Sequence, residues 1–261
     1  MAKVKARSFA AWALLGIAAS FFAIPLIGTV IFSLSMRRGH WSLEAYRIVL
    51  SDSSFSAAFG YSLLQAIAAV LLSTMLIVPT AYWVRLYLPA LKQWVEFITL
   101  LPLVIPPVIL VFGYLRLYNS ASWLPLTGHA QTTNVLLSFG YVTLAMPYLY
   151  RTIDAGLRAI DVRTLTEAAQ SLGAGSISIL FRIILPCLRG SILNGAFLTL
   201  AIVMGEFTLA SLLDRPALGP YLQLIGANRA YEPAALAVIA FSLTWFFMGF
   251  FQYFSQWRQG V

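Results

Sequence analysis

The chain has 261 residues, of which 60% are hydrophobic and only 10% charged. A soluble domain carries about a quarter charged residues, so this composition reads as an integral membrane protein. The net charge of +8 is spread between apolar runs rather than gathered on one soluble face, which points to membrane orientation and away from nucleic acid. The single cysteine, Cys187, excludes an internal disulfide and most zinc clusters, and reads as a small apolar residue near a helix start.

Six apolar runs follow in chain order: Phe9–Leu34, Ala57–Val84, Trp94–Leu117, Asn134–Ile153, Ser191–Leu213 and Ala234–Trp257. About 20 apolar residues cross the hydrocarbon core as a helix, and the backbone polar groups have no water partner there. The expected fold is therefore all-α, an integral membrane bundle of six transmembrane helices forming one domain over residues 1–261. The first run follows Lys3, Lys5 and Arg7. It is far longer than the ~7–15 apolar residues of a signal-peptide core, so it reads as a retained helix.

Lys and Arg set the orientation. With the N-terminus in the cytoplasm, Lys3, Lys5, Arg7, Arg85, Lys92, Arg151, Arg158, Arg163, Arg182, Arg189 and Arg258 lie inside, eleven in all. Arg37, Arg38, Arg47, Arg116, Arg215 and Arg229 lie outside, six in all. Both termini are thus expected in the cytoplasm. In the second run Ser62, Ala66, Ala69 and Ser73 form a small-residue stripe suited to close helix contact. In the third, Pro102, Pro106 and Pro107 each remove an amide donor, so a kink or break is expected; Pro147 in the fourth reads the same way. Phe246, Phe247, Phe250, Phe251, Tyr253 and Trp257 crowd the last run, the terminal ones as an interfacial belt.

Between the fourth and fifth runs lies a polar stretch, Arg151 to Arg189. In "GLRAIDVRTLTEAAQSLGAG", Leu157, Ile160, Leu165, Ala168, Ala169 and Leu172 recur near the 3.6-residue period of a helix. Gly173 and Gly175 then break it, and Ile177 to Leu185 begins a second helix running up to Pro186. Small Ala168 and Ala169 beside Gly173 make a surface that another protein approaches closely.

Glu167, Ala168, Ala169, three residues, Gly173, nine residues, Ile183, one residue, Leu185 and Pro186 resemble the EAA signature of ABC importer permeases. "GLRAID" (Gly156 to Asp161) and the six-run layout resemble that family too, so the likeness covers nearly the whole chain. Tyr61 in "YSLLQA" departs from it, since relatives usually carry Asn before Ser-Leu. The resemblance implies the type I importer permease fold in a bacterial cytoplasmic (inner) membrane. It also implies that residues 156–189 form the coupling segment, seated in a cleft of a separate ABC ATPase subunit. Glu167 would offer a carboxylate to an Arg or Lys there, Gly173 the turn, and Ile183, Leu185 and Pro186 a rigid link to the fifth helix. ATP, the one nucleotide involved, would be bound by that partner, so this chain needs no cofactor of its own. The other implied partners are a second permease subunit, identical or paralogous, a periplasmic or lipid-anchored substrate-binding protein, and membrane lipid.

Other classes fit less well. Ser176 in "GAGS" is on the opposite side from His40 and His129, so no Ser–His pair forms, and no metal-ligand cluster is present. No G-x-x-x-x-G-K-[ST] occurs, so the chain does not hydrolyse ATP by itself. A secondary transporter or channel remains the alternative of another class, although only Glu206 stands clearly within a span. "MGEFTLASLL" with "PALGPYLQLIG" most resembles permeases for polyamines, ferric iron, phosphonate and thiamine, and a polyamine or related organic cation is the expected solute. Glu206 is the candidate for the translocation path, with a structural hydrogen bond as its other reading.

Overall fold

The computed structural model describes residues 2–37 and 39–257. Among these no β-strand is present, and the only bridge joins Arg37 and His40. The helices are α1 (Ala2–Leu34), α2 (Glu44–Ser51), α3 (Ser53–Leu86), α4 (Lys92–Val104), α5 (Pro107–Leu117), α6 (Ala130–Ala159), α7 (Val162–Ser171), α8 (Ser176–Cys187), α9 (Arg189–Gly205), α10 (Thr208–Leu212), α11 (Leu218–Asn228) and α12 (Glu232–Trp257). The six expected runs map onto α1, α3, α4–α5, α6, α9–α10 and α12. Arg38 and Arg258, the side chains of Lys3, Lys5 and Arg7, and those of Phe247, Phe250, Phe251, Tyr253 and Trp257 lie outside the described residues.

Two compact units are formed, Met1–Phe55 with Leu222–Phe247 and Ser56–Tyr221 with Met248–Val261. In the first, the end of α1 is tied to α2. The Ser33 and Tyr46 hydroxyls lie 2.6 Å apart, Arg37 Nε donates to Glu44 Oε2 at 2.5 Å, and Phe32 stacks on Tyr231 with ring centroids 4.8 Å apart.

The second unit is built on α6. This helix is too polar to pass as a lone span, because Asn134, Ser138 and Asp154 lie along it. Those groups are satisfied by protein rather than left to lipid. The small-residue stripe of α3 is buried as expected, with Ala66 and Ala69 packed among Leu137, Tyr141, Val142 and Leu209. Glycines bring α9 onto α6. A Cβ on Gly195 would strike Leu149 and come 2.5 Å from Thr152 Oγ1, and one on Gly156 would strike Ser191. α6 continues unbroken through Pro147, so the expected kink there takes no visible form as a helix break.

The break expected at the prolines of the third run is present, and two other expectations are corrected. The third run is two helices, α4 and α5, turned by 98° at Ile105–Pro106. Pro106 and Pro107 supply no amide donors and force the preceding residue out of helical geometry, so Ile105 is extended at ψ 116°. The fifth run is not one continuous helix: α9 ends at Gly205, and Glu206 is extended at ψ 130°. Finally, "GLRA" belongs to the last turn of α6. The helix breaks at Ile160, which resets the phase, so Val162, Thr166 and Ala169 face inward while Leu172 is 89% exposed.

Candidate functional site: a glycine turn and a broken helix

The polar segment after α6 is locally determined. Asp161 is the N-cap of α7, its carboxylate accepting from the Thr164 amide at 3.1 Å and the Thr164 hydroxyl at 2.7 Å. Those bonds favour the charged form and hold the Asp161 carboxyl below its usual value. α7 ends on Gly173, whose φ of +83° lies in the left-handed region. The Gly173 amide donates to Gln170 O at 2.9 Å and the Ala174 amide to Ala169 O at 3.0 Å. This is a Schellman turn, in which glycine is preferred because it has no Cβ.

α8 then starts from Gly175 and carries a π-helical turn over Leu180–Ile184, closed by the Leu185 amide donating to Leu180 O. Pro186 follows, and its ring would crowd a carbonyl of the preceding turn in a regular α-helix, which the wider turn relieves. A bend of 76° separates α8 from α9.

The inner faces of α7 and α8 are anchored in the core formed by α3 and α6. Ile179 and Ile184 are fully buried beside Tyr82, Leu149, Ile153 and Leu157, and each such burial contributes about 1.5–3 kcal/mol. The Tyr82 and Thr166 hydroxyls lie 3.2 Å apart, and Gln170 Nε2 donates to Tyr87 Oη at 3.3 Å.

The signature residues therefore divide. Glu167 and Ala168 are exposed, as is Gly173; Ala169 is buried; Ile183 and Leu185 are half-buried against the core; Pro186 is exposed. Glu167 Oε1 accepts from Arg163 Nε at 2.8 Å. Leu172, Ile177 and Phe181, 89%, 72% and 62% exposed, add an apolar patch around the turn. Sequence periodicity missed it, because the break at Ile160 changed which residues face inward.

Glu206 sits in the gap between α9 and α10. Its Oε1 accepts from the Leu209 amide at 2.9 Å, and Oε2 from the Leu209 and Ala210 amides at 3.1 and 3.3 Å. The carboxylate thus satisfies the free amides that open α10, a task a buried helix start must assign to some acceptor. Gly219 of α11 packs on the gap: a Cβ there would lie 2.5 Å from Glu206 O and 2.9 Å from Phe207 Cα. The Leu218 amide donates to Ser62 Oγ at 2.8 Å, giving the first residue of the small-residue stripe a polar role.

A second polar group joins α3 to α6. Tyr61 Oη donates to Asn134 Oδ1 at 2.7 Å, Gln65 Nε2 donates to Asn134 O at 3.3 Å, and Ser138 Oγ donates to Gln65 Oε1 at 2.5 Å. Tyr61, the position that departs from the EAA permeases, is thus part of a helix–helix bond network.

Comparison with known proteins agrees with this architecture. The model of the family described as "Binding-protein-dependent transport system inner membrane component" matches residues 77–259. The chain is 26% identical over 207 residues to the putrescine transport system permease protein PotI of Escherichia coli (strain K12), covering 76% of this chain and 72% of that one. It is 30% identical over 197 residues to the probable molybdenum ABC transporter permease protein HVO_B0370 of Haloferax volcanii, covering 74% and 69%. A solved bacterial ABC transporter that imports the acidic polysaccharide alginate shares the fold, with a TM-score of 0.68 at 17% identity over 92% of this chain and 94% of that one. The chain therefore belongs to the family of binding-protein-dependent transport system inner membrane components, the permeases of ABC importers.

Proposed function

We propose that this permease forms half of the translocation pathway of an ATP-driven importer and that residues 161–186 dock into a separate ATPase subunit, which binds and hydrolyses the ATP. The observation that carries this reading is the Gly173 turn, set between two core-anchored helices and ringed by exposed Leu172, Ile177 and Phe181. Exposed apolar side chains around a fixed turn suit a protein cleft. Glu167 and Ala168 border the patch, Glu167 exchanging Arg163 for a cation of the ATPase. Ile183, Leu185 and Pro186 carry displacement into α9. A second permease subunit completes the pathway, and the family's binding-protein dependence supports delivery of solute by a separate substrate-binding protein. Both termini and residues 161–186 lie in the cytoplasm.

The solute in this reading is a polyamine or related organic cation, supported by likeness to the putrescine permease and to the spermidine/putrescine permease PotC of Escherichia coli. An oxyanion is the second reading, favoured by the 30% identity to the molybdenum permease and by the backbone bonds that occupy Glu206. On either reading Glu206 holds open a helix break on the path. The test is reconstitution in liposomes with its cognate ATPase, second permease and binding protein. ATP-dependent accumulation of labelled putrescine supports the first reading; accumulation of molybdate or sulfate instead sinks it. No ATPase association by the intact complex would sink the docking assignment whatever the solute.

A further inference from the structure

At the end of α3 and the start of α4 the protein gathers ionic side chains from three helices. Arg85 Nη1 lies 3.5 Å from Asp154 Oδ1, and Arg158 Nε donates to Asp154 Oδ2 at 2.8 Å. Glu96 Oε1 lies 3.6 Å from Lys92 Nζ and 3.8 Å from Arg158 Nη2. Asp154, its side chain 11% exposed, is thus committed to two guanidinium groups, whereas Glu96 is held only loosely. Arg151 has no ion-pair partner among the described residues. With Arg151 included, four cations face two carboxylates, so the cluster keeps a positive excess.

Beside them is a pocket of about 380 Å³ lined by Glu96, Leu100, Tyr150, Arg151, Asp154, Ala155 and Arg158; its two carboxylates are offset by Arg85 and Lys92, which pair with Asp154 and Glu96 from outside the lining. That volume suits one small polar group. The same helix that gives Glu96 turns Trp94, Phe97 and Ile98 outward, 66%, 58% and 57% exposed. α3, whose last turn holds Arg85, is one of the helices long and apolar enough to cross a membrane. A pocket with two guanidinium groups at the end of a span, bordered by lipid-facing Trp94 and Phe97, lies at head-group depth.

We propose that this pocket binds the head group of an anionic phospholipid of the phosphatidylglycerol type. Its phosphodiester is held by Arg151 and Arg158, and its glycerol hydroxyls donate to Glu96. Guanidinium groups recognise phosphate through paired N–H donors, and the loosely held Glu96 supplies the acceptor that hydroxyls need. The acyl chains run along Trp94, Phe97 and Ile98, which a soluble phosphate ester would leave bare. Phosphatidylethanolamine carries no net charge and so gains less from the positive excess of the whole cluster, and binds less well. The site is independent of the transported solute.

The test is native mass spectrometry of the full-length protein, delipidated in detergent together with the subunits that co-purify, and titrated with phosphatidylglycerol, phosphatidylethanolamine or sn-glycerol 1-phosphate. One phosphatidylglycerol is retained per chain with at least tenfold preference over phosphatidylethanolamine. Arg151→Gln lowers that retention at least tenfold, and Ala155→Phe, which fills the pocket, does the same; both side chains are exposed, so melting temperature stays within a few degrees. Equal retention of the two lipids, or unchanged retention in both variants, would overturn the site. Binding of sn-glycerol 1-phosphate as tight as that of the lipid would overturn the assignment to a lipid.

Discussion

Replacing Gly173 separates backbone conformation from bulk at the turn proposed to dock into the ATPase. Gly173 has φ +83°, and nothing lies within 4 Å of the place where a Cβ would project. The cost of a side chain is therefore conformational. An L-residue in the left-handed region costs roughly 1–2 kcal/mol, with a β-branched residue at the upper end. If the turn relaxes instead, the Gly173→Gln170 and Ala174→Ala169 hydrogen bonds are lost and α7 is left without its C-cap. At 1.4 kcal/mol per tenfold, ~2 kcal/mol lowers docking affinity by up to roughly 30-fold for Gly173→Val. Gly173→Ala lies near tenfold. Gly173→Asn stays within about threefold, because Asn tolerates this conformation best among non-glycine residues. The assay is titration of purified ATPase onto the permease complex in nanodiscs, with amide exchange over Ala169–Ala174 as a readout internal to the chain. If Asn is as damaging as Val, side-chain bulk against the partner decides the effect and the conformational argument fails.

Glu206→Gln keeps one carbonyl acceptor for the Leu209 amide, so complex stability changes by less than about 1 kcal/mol, whereas Glu206→Leu strands two buried amides at about 1–3 kcal/mol each. Thermal unfolding in detergent checks the order, and equal loss in both variants would show that charge rather than acceptance matters. Labelled-solute uptake by Glu206→Gln separates the cap from a charge on the path: uptake close to that of the unaltered protein means the cap is sufficient, and a severalfold loss assigns the charge a transport role. Asp161, whose carboxyl is held low by Thr164, supports the start of α7 above its ordinary value near 3.8, and that support is lost as pH falls through the lowered value. At neutral pH Asp161→Ala speeds amide exchange at Thr164 while Asp161→Asn does so less; identical rates in both would mean the cap is idle. For topology, in a Cys187→Ser background, Ser122→Cys reacts with an impermeant thiol reagent added outside and Ser171→Cys does not; the reverse pattern inverts the orientation.

How much was legible in the sequence follows from how local each signal is. Apolar runs of spanning length, the proline cluster at Pro102, Pro106 and Pro107, and the small-residue stripe from Ser62 to Ser73 depend only on neighbours in the chain, and each led to the right element. The Gly173 turn was equally readable, because one backbone conformation excludes nearly every other residue. Tertiary structure decided what depends on partners distant in sequence. Ala169 faces inward and Leu172 outward because α7 begins a fresh phase after Ile160 and packs beside Tyr82, which no single-helix period reveals. The fifth run reads as one continuous apolar stretch, yet it breaks at Glu206, where the carboxylate finds the Leu209 and Ala210 amides and Gly219 fits against the exposed backbone. Asp154 and Glu96 lie 58 residues apart in the chain and share Arg158 only because α4 packs on α6. Local propensity selects helices and turns; which polar group meets which, in a medium without water to satisfy the rest, is set by packing.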